Sequence, residues 1–162
     1  MTCFVLLHGA YQGPWIWKMV AATLRAEGHE VYVPCLEGCG ERAASVHPGV
    51  TTESQAAEVV EMLRLEDLRD VVLVGTSSGG MVMARTAERA RDRVRRLVFV
   101  DALALLDGEK IRDIVTAPAA IEGPLALGPD RADLLTRSFK DIAPALRDWA
   151  TERVTLHPRN CF

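Results

Sequence analysis

The stretch from Val71 to Gly80 constrains the fold of this 162-residue chain more than any other. It reads V-V-L-V-G-T-S-S-G-G: four branched apolar residues, then Gly75-Thr76-Ser77-Ser78-Gly79, then the start of a helical pattern. A short apolar run that ends in glycine reads as a buried strand. A G-x-S-x-G sequence between strand and helix is the setting of a nucleophile elbow. The glycines flank the serine because so sharp a turn has no room for neighbouring Cβ atoms. Ser77 is then expected at the tip, its hydroxyl above the sheet. The backbone N–H of Ser78 is expected at the start of a helix, where an oxyanion is favoured. The stretch therefore predicts a serine hydrolase site.

The rest of the chain alternates strands with helices. Cys3 to Leu7 predicts a first strand, ending in the loop His8-Gly9-Ala10-Tyr11-Gln12-Gly13-Pro14. Trp15 to Glu27 has apolar positions Ile16, Val20 and Leu24 at helical spacing, with Gly28 as a stop. His29 to Val33 predicts a second strand. Cys35 to Thr51 is irregular; Thr52, with Gln55 three residues on, predicts a capped helix to about Leu65. Asp70 to Val74 is the third strand, Ser78 to about Arg91 the next helix, and Arg95 to Val100 a fourth strand ending at Asp101. Strands joined by helical crossovers demand a parallel α/β sheet. Ligands bind beyond the carboxyl ends of such strands, where His8, Ser77 and Asp101 all fall. After Asp101 no strong strand pattern is evident. Short helices are expected within Leu103 to Val115, from Asp130 to Phe139 and from Pro144 to about Val154, as a helical cap. The chain reads as one domain, with 1–102 the sheet core and 103–162 the cap.

Composition narrows the function classes. The net charge of −3 argues against general nucleic-acid binding. No run approaches the ~20 apolar residues of a membrane span. The N-terminus runs straight into a strand pattern without signal-peptide character, which predicts a cytoplasmic protein. Cys3, Cys35, Cys39 and Cys161 lack the paired spacing of a zinc site and are read as reduced, unpaired thiols. No metal and no organic cofactor is expected. The arginines from Arg85 to Arg96 alternate with Glu88 and Asp92 and read as a solvated helix end.

Three stretches carry a family resemblance: F-V-L-L-H-G-A-Y-Q-G-P-W-I-W from Phe4 to Trp17, P-C-L-E-G-C-G-E-R from Pro34 to Arg42, and the elbow continuing to L-V-F-V-D-A at Leu97 to Ala102. In this order the chain resembles the N-terminal two-thirds of an α/β-hydrolase, within the branch holding plant methylesterases, hydroxynitrile lyases and their bacterial relatives. The resemblance implies Ser77 as nucleophile, and the amides of Ala10 and Ser78 as oxyanion hole. It implies His8 as a residue that shapes its loop without acting as the base. It places His8, Gly9, Tyr11 and Trp149 around a substrate pocket, for a small apolar carboxylic ester or lactone. Two departures stand out: Thr76 where relatives often carry His or Glu, which weakens a lyase reading, and Gln12 where they often carry His.

A serine hydroxyl needs a base, and the base needs an orienting acid. In this fold the order is Ser, then Asp or Glu, then His, and the resemblance places the last two after later strands that are not in this chain. Asp101 and His157 are the substitutes that satisfy the order. Three readings follow: part of an ester hydrolase, a shortened hydrolase-like protein completed by a homodimer or a complementary C-terminal segment at the open sheet edge, or a non-catalytic binding or oligomerising module.

Overall fold

The computed structural model describes residues 1–114 and 119–162. Its main sheet has four parallel strands, β1 (Cys3–Leu7), β2 (Glu30–Tyr32), β3 (Val71–Ser77) and β4 (Val94–Ala102), in the order β2-β1-β3-β4. The central strands β1 and β3 read as near-continuous apolar runs because both faces are covered. Alternate side chains serve the two faces. Val5, Leu7, Val71 and Leu73 pack with α2 (Thr52–Leu65) and α3 (Gly79–Arg89) through Val59, Leu63 and Met83. Leu6, Val72 and Val74 pack on the other face with Trp17 and with Ala21 of α1 (Lys18–Ala26).

The strand order places the site. The chain moves outward from β1 to β2, then returns across β1 to add β3 and β4. The winding reverses between β1 and β3, and ligands of open α/β sheets bind beyond the carboxyl ends of the strands at such a reversal, where the loops leaving these two strands lie. These are the His8 loop and the Ser77 elbow.

Several local expectations shift. The cap of α2 is Thr51, not Thr52: its hydroxyl accepts from Ser54 N at 3.1 Å, and the Ser54 hydroxyl accepts from Thr51 N at 3.1 Å. Gln55 is drawn away instead, donating to Glu37 O at 2.8 Å in the core. The helix expected from Trp15 begins as a 3-10 turn, Pro14–Trp17, before α1. Both β3 and β4 run further than their apolar stretches, through Ser77 and Ala102.

The segment after β4 is not purely helical. Short helices α4 (Ile111–Ile114), α5 (Arg131–Asp133, continued by a π turn to Ser138) and α6 (Pro144–Thr151) are joined by a small antiparallel sheet. Its strands are β5 (Ile121–Glu122), β6 (Ala126–Gly128) and β7 (His157–Pro158), in the order β5-β6-β7. The expected helix boundary at Val115 and the break at Pro118 lie outside the described residues. The four cysteines are free thiols. Arg85 and Arg89 are engaged with Glu53 and Glu88, as a solvated helix surface should be. No helix among the described residues is long and apolar enough to cross a membrane.

Candidate active site

Ser77 is the last residue of β3 and holds a φ of 49°. The left-handed region costs a residue with a Cβ about 1–2 kcal/mol. Strain of this kind, where a strand turns sharply into a helix, marks a position whose side chain is being presented. Ser78 follows in helical conformation as the N-cap of α3 and is buried. The turn is pinned on both sides: Leu103 N donates to Ser77 O at 2.9 Å, and Met81 N donates to Ser78 O at 3.0 Å.

The loop after β1 folds back on itself and meets the elbow. Gln12 Oε1 accepts from Gly9 N at 2.9 Å, and Tyr11 takes a φ of 65°. A Cβ placed on Gly9 would lie 2.6 Å from Ser77 Cβ and 3.0 Å from Thr76 O. One placed on Gly79 would lie 2.6 Å from His8 O and 2.7 Å from Leu7 O. Glycine at both positions lets the loop and the start of α3 touch through backbone alone. Gly9 thereby lies against Ser77, and Gly79 against the backbone of Leu7 and His8.

His8 is fully buried, and both its ring nitrogens are committed. Leu36 N donates to Nε2 at 3.1 Å, so the proton sits on Nδ1, which donates to Gly9 O at 3.0 Å. Burial lowers its pKa to about 4. It is a neutral strut between two loops.

His157, in β7, is also buried, at 2 % exposure. Its Nδ1 lies 3.4 Å from Cys39 Sγ, and its ring meets Tyr11 and Phe162 edge-on. Burial, reinforced by the nearby His8, lowers its pKa to about 3. Asp101 occupies the irregularity where the β3–β4 register slips, with a φ of 46° and an exposed side chain. Among the described residues no hydrogen bond joins Ser77, Asp101 and His157.

Of the expected pocket residues, His8, Gly9 and Tyr11 lie together in the first loop. Trp149 stands edge-on to Trp15 at 5.5 Å, with the Arg153 guanidinium 4.4 Å above its ring. An open cleft of about 380 Å³ lies nearby between α2 and the end of the chain, walled by Thr51, Thr52, Met81, Lys110 and Phe162. None of the expected pocket residues lines it. No group of three His, Cys, Asp or Glu side chains suited to a metal ion occurs among the described residues.

Sequence reasoning missed the residues that hold the first loop in place. Thr155 N donates to Tyr11 O at 3.0 Å, and Gly40 N donates to Thr155 Oγ1 at 3.1 Å. Tyr11 also stacks on Phe162. A threonine that acts across 115 residues leaves no local signal. Gln12 was open to detection, since a polar side chain in a glycine-rich loop is a natural partner for its amides.

The family model described as the alpha/beta hydrolase family matches residues 4–161. The carbendazim hydrolyzing esterase of Nocardioides sp. (strain SG-4G) is 38% identical over 130 residues, which is 80% of this chain and 50% of that protein. Methylesterase 8 of Arabidopsis thaliana is 35% identical over 98 residues, 60% of this chain and 36% of its own length. The chain thus spans half or less of these relatives. Among solved structures, an extracellular alpha/beta-hydrolase from a Paenibacillus species superposes with a TM-score of 0.83 at 29% identity, covering 97% of this chain and 67% of that one.

Proposed function

The chain belongs to the α/β-hydrolase family, and on that premise we propose that it is the nucleophile-bearing part of a serine ester hydrolase acting on a small apolar carboxylic ester or lactone. The observation that carries this reading is Ser77, held at positive φ on the turn between β3 and α3 with the Gly9-Ala10 loop against it. Ser77 Oγ attacks the ester carbonyl and passes its proton to a histidine base. The resulting oxyanion accepts hydrogen bonds from the amides of Ala10 and Ser78. Collapse expels the alcohol, and water then releases the acid from the acyl-serine.

Residues within the chain do not supply the base well. His8 has both nitrogens bonded. His157 is buried, with a pKa held near 3 and its Nδ1 beside Cys39; so low a pKa makes a weak base at neutral pH. Asp101 and His157 therefore remain the substitutes of last resort. The better source of base and acid is the part of the relatives' fold that this chain does not span. The same observation favours a second reading, a non-catalytic hydrolase-like module that keeps the elbow for binding.

A fluorophosphonate probe separates the two. Labelling of the wild type, lost in Ser77→Ala, together with turnover of small aryl esters, supports the hydrolase. Labelling without turnover supports an activated serine that lacks its completing residues. No labelling at all overturns the self-sufficient enzyme and leaves the binding module.

A further inference from the structure

The loop after β1 contains a four-residue turn, Gly9-Ala10-Tyr11-Gln12, and Gln12 closes it twice. Its backbone N–H donates to Gly9 O at 3.4 Å, the bond usual for such a turn. Its side-chain Oε1 accepts from Gly9 N at 2.9 Å. Tyr11 stands third in the turn with a φ of 65°, where type II turns ordinarily take glycine. A side chain in that conformation is strained and persists only where its surroundings hold it. The second bond from Gln12 is part of that hold.

The same bonds settle which amide the loop can offer. Gly9 is buried, and a buried N–H left without a partner is costly. Gln12 Oε1 is its acceptor, so the Gly9 N–H is committed inside the loop. The Gly9–Ala10 peptide is trans, so its N–H points opposite to its C=O. Gly9 O faces the buried His8 ring, accepting from Nδ1 at 3.0 Å. The Ala10 N–H therefore points away from that ring, and it finds no acceptor among the described residues. Gln12 Oε1 would also lie 3.3 Å from a Cβ on Gly9, whose other neighbours would be Ser77 Cβ and Thr76 O. Gln12 thus holds Gly9 at the point where it meets Ser77.

We propose that Gln12 is a positioning residue of this site: its side-chain carbonyl fixes Gly9 against Ser77 and leaves the Ala10 N–H, rather than that of Gly9, as the loop's donor to an oxyanion. The role rests on the reading of Ser77 as a nucleophile. Gln12 acts through Gly9 and takes no part in bond making. Its contribution is preorganisation, since a donor already aimed needs no rearrangement when charge develops.

Two variants separate the acceptor from the shape. Gln12→Met keeps the length of the side chain without the carbonyl, and Gln12→Glu keeps an acceptor oxygen in the same place. Amide hydrogen exchange of the full 162-residue chain, read by NMR, should show Gly9 slower than Ala10 in the wild type. In Gln12→Met the Gly9 amide should exchange faster and the Ser77 amide resonance should move, whereas Gln12→Glu should preserve both. Fluorophosphonate labelling of Ser77 should slow by about tenfold to a hundredfold in Gln12→Met and stay near the wild-type rate in Gln12→Glu. A merely structural role would lower the thermal midpoint without slowing the labelling of folded protein, and that result overturns the proposal. So does a Gly9 amide indifferent to loss of the acceptor, or equal behaviour of the two variants. A wild type that takes no label defeats the self-sufficient enzyme instead, and the exchange and resonance data then decide the role of Gln12 by themselves.

Discussion

Gly9 and Ser77, 68 positions apart in the chain, lie so close that a Cβ on the first would come within 2.6 Å of the Cβ of the second. The contact joins the loop after β1 to the turn after β3, at the point where the sheet reverses its winding. It is the Gly9 backbone against the Ser77 side chain, and it fixes how closely the loop approaches the serine.

The first prediction concerns that contact. Gly9→Ala must push Ser77 or the loop aside, and neither can yield freely because Thr76 O lies 3.0 Å from the same point. Overpacking of this kind costs about 1–3 kcal/mol. Urea unfolding should show that loss. Any serine reactivity toward the fluorophosphonate should fall with it, even where the protein remains folded.

Strain at Ser77 can be isolated by comparing two variants that both lack the hydroxyl. Ser77→Gly relieves the left-handed conformation, whereas Ser77→Ala retains it. The relief is about 1–2 kcal/mol, offset in part by the greater chain entropy of glycine when unfolded. The glycine variant should therefore be the more stable by about 1 kcal/mol. Equal midpoints in thermal unfolding would refute a strained serine.

Stability should fall on mild acidification because two imidazoles are buried uncharged. An unfolded histidine titrates near 6.5, while burial holds His8 to about 4 and His157 to about 3. Above pH 6.5 neither state binds the proton and stability is undiminished. Below it only the unfolded chain is protonated, so stability declines as pH falls toward the folded values. The slope is about 1.4 kcal/mol per pH unit for each ring. His157→Gln should remove roughly half of that slope between about pH 6 and about pH 5, read from urea midpoints. An unchanged slope would mean that His157 is not buried neutral.

The tie between the end of the chain and the first loop is testable through Thr155. Its hydroxyl accepts from Gly40 N at 3.1 Å, and its own amide holds Tyr11 O. Thr155→Val preserves the shape and the amide but removes the acceptor, leaving a partly buried N–H unpaired. A loss of about 1–2 kcal/mol is expected. Hydrogen exchange at Gly40 should quicken more than exchange in β1. Uniform quickening would assign the effect to global stability instead.

The sheet core was legible because its signals are local and periodic. Branched apolar runs mark β1 and β3, and the glycine-flanked serine marks the turn between β3 and α3. Patterning carried less well where a side chain had two possible partners. Thr52 and Gln55 have capping-box spacing, yet the box forms one residue earlier, at Thr51 and Ser54. Gln55 is drawn off by a carbonyl at Glu37 that becomes its neighbour only on folding.

By itself the sequence determined the parallel α/β core and the sharp turn from β3 into α3 that carries Ser77, because each follows from residue chemistry within a dozen positions. Only the tertiary structure decided the rest. Strands of two or three residues, such as β5, β6 and β7, have no periodicity to read and exist because β6 finds β7 some thirty residues away. The same pairing draws His157 inward against Cys39 and Tyr11, where desolvation takes away its use as a base at neutral pH. Which histidine is buried and which loop is clamped depend on contacts between distant segments, and those contacts come into being only when the chain packs.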